Sequence, residues 1–133
     1  MSNPIENNII EIESYLAENN IKAEKTDSNL FYVVEQEGDG THPALTDDVT
    51  VHYKGYFLNG QVFDSSFDRG VPATFPLNRV VEGWQEGIPK FSRGGRGKLF
   101  IPSNLGYGSM PPPGIPANAV LVFDVELLKI NNE

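Results

Sequence analysis

The chain has 133 residues and a mass of 14.7 kDa, room for one compact domain with a small appendage. Ten Lys and Arg against eighteen Asp and Glu leave a net charge of −8, which disfavours nucleic acid and anionic lipid as partners. Without cysteine there is no disulfide scaffold, thiolate metal site or cysteine nucleophile, and apolar runs such as 119–123 are far too short for membrane insertion.

The start, Met1-Ser2-Asn3-Pro4, lacks the basic and apolar segments of a secretory signal. The expected location is the cytoplasm, or the periplasm where a signal peptide has been removed. Asn3-Pro4-Ile5-Glu6 reads as a helix start, with an Asn N-cap, Pro at the first helical position and Glu at the capping-box position. Ile5, Ile9, Ile12 and Leu16 then fall on one face of a helix predicted to end near Asn19-Asn20. A helix this short is marginal alone. Its stripe either docks on the body of its own chain or pairs with a second copy, making a homodimer through the N-terminal helix. Gly and Pro concentrate after residue 37, which divides the chain into a helical extension, 1–28, and a turn-rich body, 29–133.

In the body, Leu30-Phe31-Tyr32-Val33-Val34 is a β-rich run closed by the turn cluster Glu37-Gly38-Asp39-Gly40. Val49-Thr50-Val51-His52-Tyr53 alternates with period two. Asn59-Gly60, between Gly55-Tyr56-Phe57-Leu58 and Gln61-Val62-Phe63, predicts a two-residue type I′ hairpin. One further helix is predicted over Asn78–Trp84, ended by Gly87 and Pro89, and strands follow at Lys98–Ile101 and Val120–Leu128. Strands, one short helix, then strands again argue for an α+β fold: an antiparallel sheet wrapped around a single helix, plus the N-terminal amphipathic helix.

A two-residue loop at Asn59-Gly60 sets Leu58 opposite Gln61 and Asp64 opposite Gly55. Asp64 then lies diagonally beside Tyr53, on a face shared with Val51 and Val62. A carboxylate on an apolar surface needs a partner, and Arg69 and the Tyr53 hydroxyl are the candidates. The pair reads either as a structural ion pair at a strand end or as the polar side of a site. Strict alternation sends Phe63 to the opposite face unless the strand bulges after it.

Motifs for covalent or phosphate chemistry are missing: no G-x-S-x-G, H-E-x-x-H or P-loop occurs. Arg93-Gly94-Gly95-Arg96-Gly97 lacks the P-loop Lys-Ser/Thr and precedes a strand, so it reads as a sharp turn. His42 and His52 have no metal-ligand cluster around them in sequence, and no metal or cofactor is expected. What remains is an aromatic inventory near turns, Tyr53, Phe63, Phe75, Trp84, Tyr107 and Phe123, which serves either as core or as the lining of a pocket.

These residues also stand in a recognisable order. Val51-His52-Tyr53-Lys54-Gly55-Tyr56, Val62-Phe63-Asp64-Ser65-Ser66, Val80-Val81-Glu82-Gly83-Trp84, Ile101-Pro102-Ser103-Asn104-Leu105-Gly106-Tyr107-Gly108, Ile115-Pro116-Ala117-Asn118-Ala119 and Leu121–Leu128 follow one another at spacings that resemble the FKBP-type peptidyl-prolyl cis–trans isomerases. The resemblance runs from about Val49 to Ile130. It implies a strongly bent antiparallel sheet around one short helix, and a site that takes the proline of a polypeptide into an apolar pocket floored by Trp84. The walls it implies are Tyr53, Phe63, Phe75, Val80, Val81, Tyr107, Ile115 and Phe123, with Asp64 and Arg69 as the polar side. In the family, the backbone N–H at the Val81 position and the hydroxyl at the Tyr107 position meet ligand carbonyls. Tyr53, Asp64 and Tyr107 are thereby the expected catalytic residues, and macrolide inhibitors the expected competitors. Ala73 stands where relatives often carry a bulkier residue, the loop Ser109–Gly114 is a residue shorter than is common, and residues 1–28 have no counterpart in the minimal family domain.

The implied activity is rotation about X–Pro bonds during protein folding, with no covalent intermediate. Two alternatives stand beside it: a module that binds proline-containing segments without catalysis, and a chaperone-like holdase using the leader's apolar stripe.

Overall fold

The computed structural model describes residues 3–133; Met1 and Ser2, part of the start read for a targeting signal, lie outside the described residues. Helix α1 spans Pro4–Glu18, and the Asn3 side chain accepts the Ile5 N–H at 2.8 Å, so the predicted cap forms. The strands are β1 (Glu24–Lys25), β2 (Phe31–Gln36), β3 (Asp48–Tyr56), β4 (Val62–Ser65), β5 (Ala73–Pro76), β6 (Arg96–Ile101) and β7 (Leu121–Ile130). Two short helices complete the chain: α2 (Ser66–Arg69) and α3 (Glu82–Gly87). All pairings are antiparallel, in the order β1-β2-β6-β7-β3-β4, and β5 pairs with β3 on the same edge as β4. Among the described residues, no helix is long and apolar enough to cross a membrane.

Period-two geometry sorts the apolar residues of this sheet into two layers. Leu99, Ile101, Leu121 and Phe123 face α3 and join Val49, Val51, Trp84 and Ile88 in the main core. Phe100 and Val122, between them in sequence, face the other way and meet Phe31, Ile12 and Leu16. This explains why Leu99-Phe100-Ile101 and Leu121-Val122-Phe123 are continuous apolar runs: both faces of these strands are covered. Helix α3 sits almost directly on β6. A methyl at Gly83 would lie 2.6 Å from Ile101 Cδ1, and one at Gly87 would lie 2.6 Å from Leu99 Cδ2, so the i, i+4 glycines allow the approach.

The leader therefore docks on its own chain, with Ile12 and Leu16 buried against the outer face of the sheet. Strand β1 lies within the stretch 1–28, yet it pairs with β2.

Helix α3 corrects the sequence expectation. Residues 78–81 are not its first turn: Leu77–Arg79 form a 3-10 turn, Val80 and Val81 are extended, and the α-helix begins at Glu82. Two consecutive β-branched residues favour the extended backbone that separates the two helical pieces.

The hairpin corrects a second expectation. The Phe57 N–H bonds to the Gln61 carbonyl at 2.9 Å, so the loop is Leu58-Asn59-Gly60 and Leu58 does not face Gln61. Of Asn59 and Gly60 only Gly60 is left-handed (φ 91°), whereas a type I′ turn needs positive φ at both. The loop's extra residue is offset by a bulge: Tyr56 faces Val62, but Gly55 faces Asp64, leaving Phe63 as the additional residue of β4. Asp64 thus lands opposite Gly55 as expected, while Phe63 turns inward and Val62, expected to share the Asp64 face, turns out to solvent.

Candidate active site

Strand β3 supplies Tyr53 and Gly55, and its partners on either side supply the rest of the site. Its edge is broken. Strand β5 pairs with residues 48–51 and β4 with residues 54–56, while α2 fills the gap opposite Tyr53. In that gap Ser66, fully buried, accepts the Tyr53 N–H and donates to the Tyr53 carbonyl. Ser65 caps α2 by accepting the Asp68 N–H at 3.2 Å, and Gly70 ends it in the left-handed region (φ 77°). This one turn of helix, missed by sequence reading although Ser65 and Gly70 are its cap signals, carries Arg69 back toward Asp64.

Three side chains then close a triangle. The Tyr53 hydroxyl donates to Asp64 Oδ2 at 2.6 Å, Arg69 Nη1 donates to Asp64 Oδ1 at 2.5 Å, and Arg69 Nη2 donates to the Tyr53 hydroxyl at 3.0 Å. Burial acts to raise the Asp64 carboxyl, but the bonds from Tyr53 and Arg69 outweigh it and hold the group below its ordinary value. Burial first, and Asp64 second, push the Tyr53 phenol up. Tyr53 therefore stays protonated as a donor, and Asp64 stays ionised as a fixed negative charge.

Above the triangle lies an open cavity of about 320 Å³ lined by Tyr53, Phe63, Asp64, Phe75, Arg79, Val80, Val81, Trp84, Tyr107 and Phe123. Trp84 meets Tyr53, Phe75 and Phe123 edge-on, with ring centroids 5.1, 5.6 and 5.2 Å away. Phe63 packs edge-on against Phe123 at 5.6 Å and stacks on Phe57 at 4.9 Å. Rings packed edge to face in this way form the aromatic floor and wall of the cup. The Trp84 indole N–H has no hydrogen-bond partner among the described residues. Tyr107 stands at the rim, partly exposed, its phenol pushed up by burial and, secondarily, by the Asp64 charge.

Of the residues expected from sequence, the structure brings nine to the cup. Ile115 lines an adjoining depression that shares Phe63, Asp64 and Tyr107 with it. Arg69 does not face the cavity; it stands behind Asp64 and Tyr53 and holds both. Arg79 was missed, because sequence reading absorbed it into a helix. The two histidines lie elsewhere: His52 stacks on Phe67 at 4.0 Å, and His42 Nδ1 lies 2.8 Å from the Pro89 carbonyl oxygen.

A family model described as FKBP-type peptidyl-prolyl cis-trans isomerase matches residues 39–128. The FKBP-type peptidyl-prolyl cis-trans isomerase FkpA of Aeromonas hydrophila is 54% identical over 120 residues, which are 89% of this chain and 45% of that protein. The crystal structure of FkpA from Escherichia coli gives a TM-score of 0.86 at 39% identity, covering 96% of this chain and 61% of that one. The crystal structure of AtFKBP13 gives 0.75 at 33% identity, covering 81% of this chain and 98% of that one. The chain spans a little under half the length of the curated relatives it matches. The matched residues include all that line the aromatic cup, and the chain belongs to the FKBP-type peptidyl-prolyl cis–trans isomerase family.

Proposed function

We propose that this chain accelerates cis–trans rotation about X–Pro bonds in polypeptides, with residues 29–133 as the isomerase domain and 1–28 as its extension. The observation that carries the reading is the aromatic cup over Trp84 with one ion-paired carboxylate fixed at its edge. Rotation breaks no σ bond and crosses a barrier of roughly 18–20 kcal/mol set by amide resonance. The planar amide is more polar than the twisted one, so water favours the ground state. A proline ring seated on Trp84 between Tyr53, Phe75, Val80, Val81 and Phe123 takes the amide out of water and removes that bias. Asp64, held by Tyr53 and Arg69, adds a fixed field beside the rotating carbonyl. By the family resemblance, the Val81 N–H and the Tyr107 hydroxyl would meet ligand carbonyls, and Phe63 and Ile115, which line one depression beside the cup, would contact the chain next to proline. A ten-thousand-fold acceleration asks only about 5–6 kcal/mol of differential stabilisation. No proton transfer is required, in keeping with a carboxylate that stays ionised.

The test is isomerisation of an Ala-Leu-Pro-Phe peptide under catalytic amounts of protein, with rapamycin as competitor. Acceleration abolished by the macrolide supports the reading. Folded protein that binds the macrolide without acceleration leaves a proline-binding module instead, and loss of both overturns the assignment. Asp64→Ala or Tyr53→Phe with turnover unchanged removes the electrostatic part alone. Homodimerisation through the leader is the second reading of its stripe. Burial of Ile12 and Leu16 on the chain's own sheet favours the docked monomer, and it also leaves that stripe unsuited to holding clients. Sedimentation equilibrium decides the oligomeric state.

A further inference from the structure

Asn8 is the polar residue of the leader that is almost fully buried (2% exposed), and its amide is saturated. Its Oδ1 accepts the Ser103 N–H at 2.8 Å and the Ser103 hydroxyl at 2.6 Å. Its Nδ2 donates to the Asn118 carbonyl at 3.1 Å and to Glu11 Oε1 at 3.4 Å. The two backbone partners fix which end of the amide is which. They are also the two ends of one loop, 103–118, which carries Tyr107 and Ile115 to the site. Within the loop, the Gly108 N–H bonds to the Ser103 carbonyl and the Asn118 N–H bonds to the Gly108 carbonyl, each at 2.9 Å. Asn8, Ser103, Gly108 and Asn118 thus form a closed ring of hydrogen bonds at the loop's base, with Tyr107 next to it in the chain. The tip is free, Met110 being 90% exposed.

We infer that Asn8 is a positioning residue of the substrate site: through Ser103 and Asn118 the N-terminal helix sets where Tyr107 and Ile115 stand against a bound proline segment. This rests on the isomerase reading above and deepens it, because Asn8 lies outside the stretch 39–128 matched by the family model. Losing the amide leaves the buried Ser103 N–H without a partner, and the loop base relaxes to regain one. The cup floor and the Asp64 triangle stand on other elements and keep their geometry.

The experiment compares Asn8→Ala with Ile12→Val, which loosens the same helix through its apolar contacts only. For the peptide substrate, Asn8→Ala raises KM about three- to tenfold with kcat within about twofold of the original chain, and Ile12→Val moves neither. Hydrogen exchange at the Gly108 and Asn118 amides quickens about tenfold or more in Asn8→Ala while the β6 and β7 amides are unchanged. Asn8→Asp, which keeps an acceptor for Ser103 but sets a carboxylate oxygen against the Asn118 carbonyl, quickens Asn118 more than Gly108. An unchanged KM in folded Asn8→Ala overturns the proposal, and so does an equal KM rise in Ile12→Val. Should Asn8→Ala not fold, Ser103→Ala, which removes one of the two bonds to Asn8 Oδ1, moves the same readouts in the same direction by less, and unchanged readouts there overturn the proposal. Should the original chain show no isomerase activity, the functional reading falls, and the clamp is judged by exchange alone: equal rates at Gly108 and Asn118 overturn it.

Discussion

The hydroxyl of Ser66 stands in for a missing strand at Tyr53, accepting its N–H at 2.6 Å and donating to its carbonyl at 3.1 Å. A side chain closes the ladder where the edge is broken, which frees the adjacent backbone to turn and present Asp64. Ser66→Ala leaves both Tyr53 groups buried and unpaired, so it destabilises the chain by about 2 kcal/mol or more. Urea unfolding checks that loss, and kcat/KM for a proline peptide is expected to fall because the Tyr53 hydroxyl shifts away from Asp64.

Gly55 lies opposite both Asp64 and Phe123, and a methyl group there would sit 2.7 Å from Phe63 Cζ and 2.8 Å from Phe123 Cε1. Gly55→Ala therefore drives both rings toward the cavity. The expected result is about a tenfold loss of kcat/KM, with a destabilisation of about 1–3 kcal/mol from overpacking. Turnover preserved in Gly55→Ala would show that the rings have room to retreat.

The Asp64 carboxyl titrates below its ordinary value of 3.8, against the pull of burial and because of Tyr53 and Arg69. The folded state therefore holds its proton less tightly than the unfolded chain. Its contribution to stability is complete above the unfolded value and is lost as pH falls through the folded one. Activity is expected to be flat from about pH 5 upward and to fall only in strong acid. A carboxyl-carbon NMR titration of Asp64 with a midpoint above 3.8 would contradict this, and Asp64→Asn should show no such acid limb.

Arg79 brings a positive charge to the wall of the cup, beside the ion-paired Asp64, in a chain of net charge −8. Peptides with Glu before proline are expected to be turned over better than their Lys counterparts. Arg79→Ala should narrow that difference by about threefold at low salt and by less at high salt. A preference unmoved by the substitution would place its origin elsewhere.

Removing residues 1–28 uncovers Phe31, Phe100, Val120 and Val122, which α1 covers in the whole chain. The truncated chain is expected to scatter light on warming well before the full one. Ile12→Ala, at a fully buried position, should lower stability by about 2–5 kcal/mol in thermal unfolding.

The elements that sequence made legible are those specified locally. The leader's cap and stripe, the period-two strands and the turn at Arg93-Gly94, closed by the Gly95 N–H on the Ser92 carbonyl, each depend on neighbours within a few residues. Asp64 was placed opposite Gly55 from a hairpin turn that does not form, and the register survived because the extra residue of the loop is matched by the bulge at Phe63. Asn8 could not be read in this way. In the helix pattern it is one more polar residue, and its meaning comes from Ser103 and Asn118, 95 and 110 positions away. Arg79 was hidden for a different reason: Val80 and Val81 fit a helical spacing, yet neither is helical, and the break they make leaves Arg79 at the end of a separate short turn.

The sheet's termination has a consequence of its own. At one margin stands β1, of two residues, and at the other β4 and β5, of four each, separated by α2. On the proposed isomerase reading, the polypeptides that reach the site carry extended backbone seeking unpaired N–H and C=O groups. Margins this short make a poor template for such a segment, so on that reading a bound polypeptide leaves without being zipped onto β1, β4 or β5.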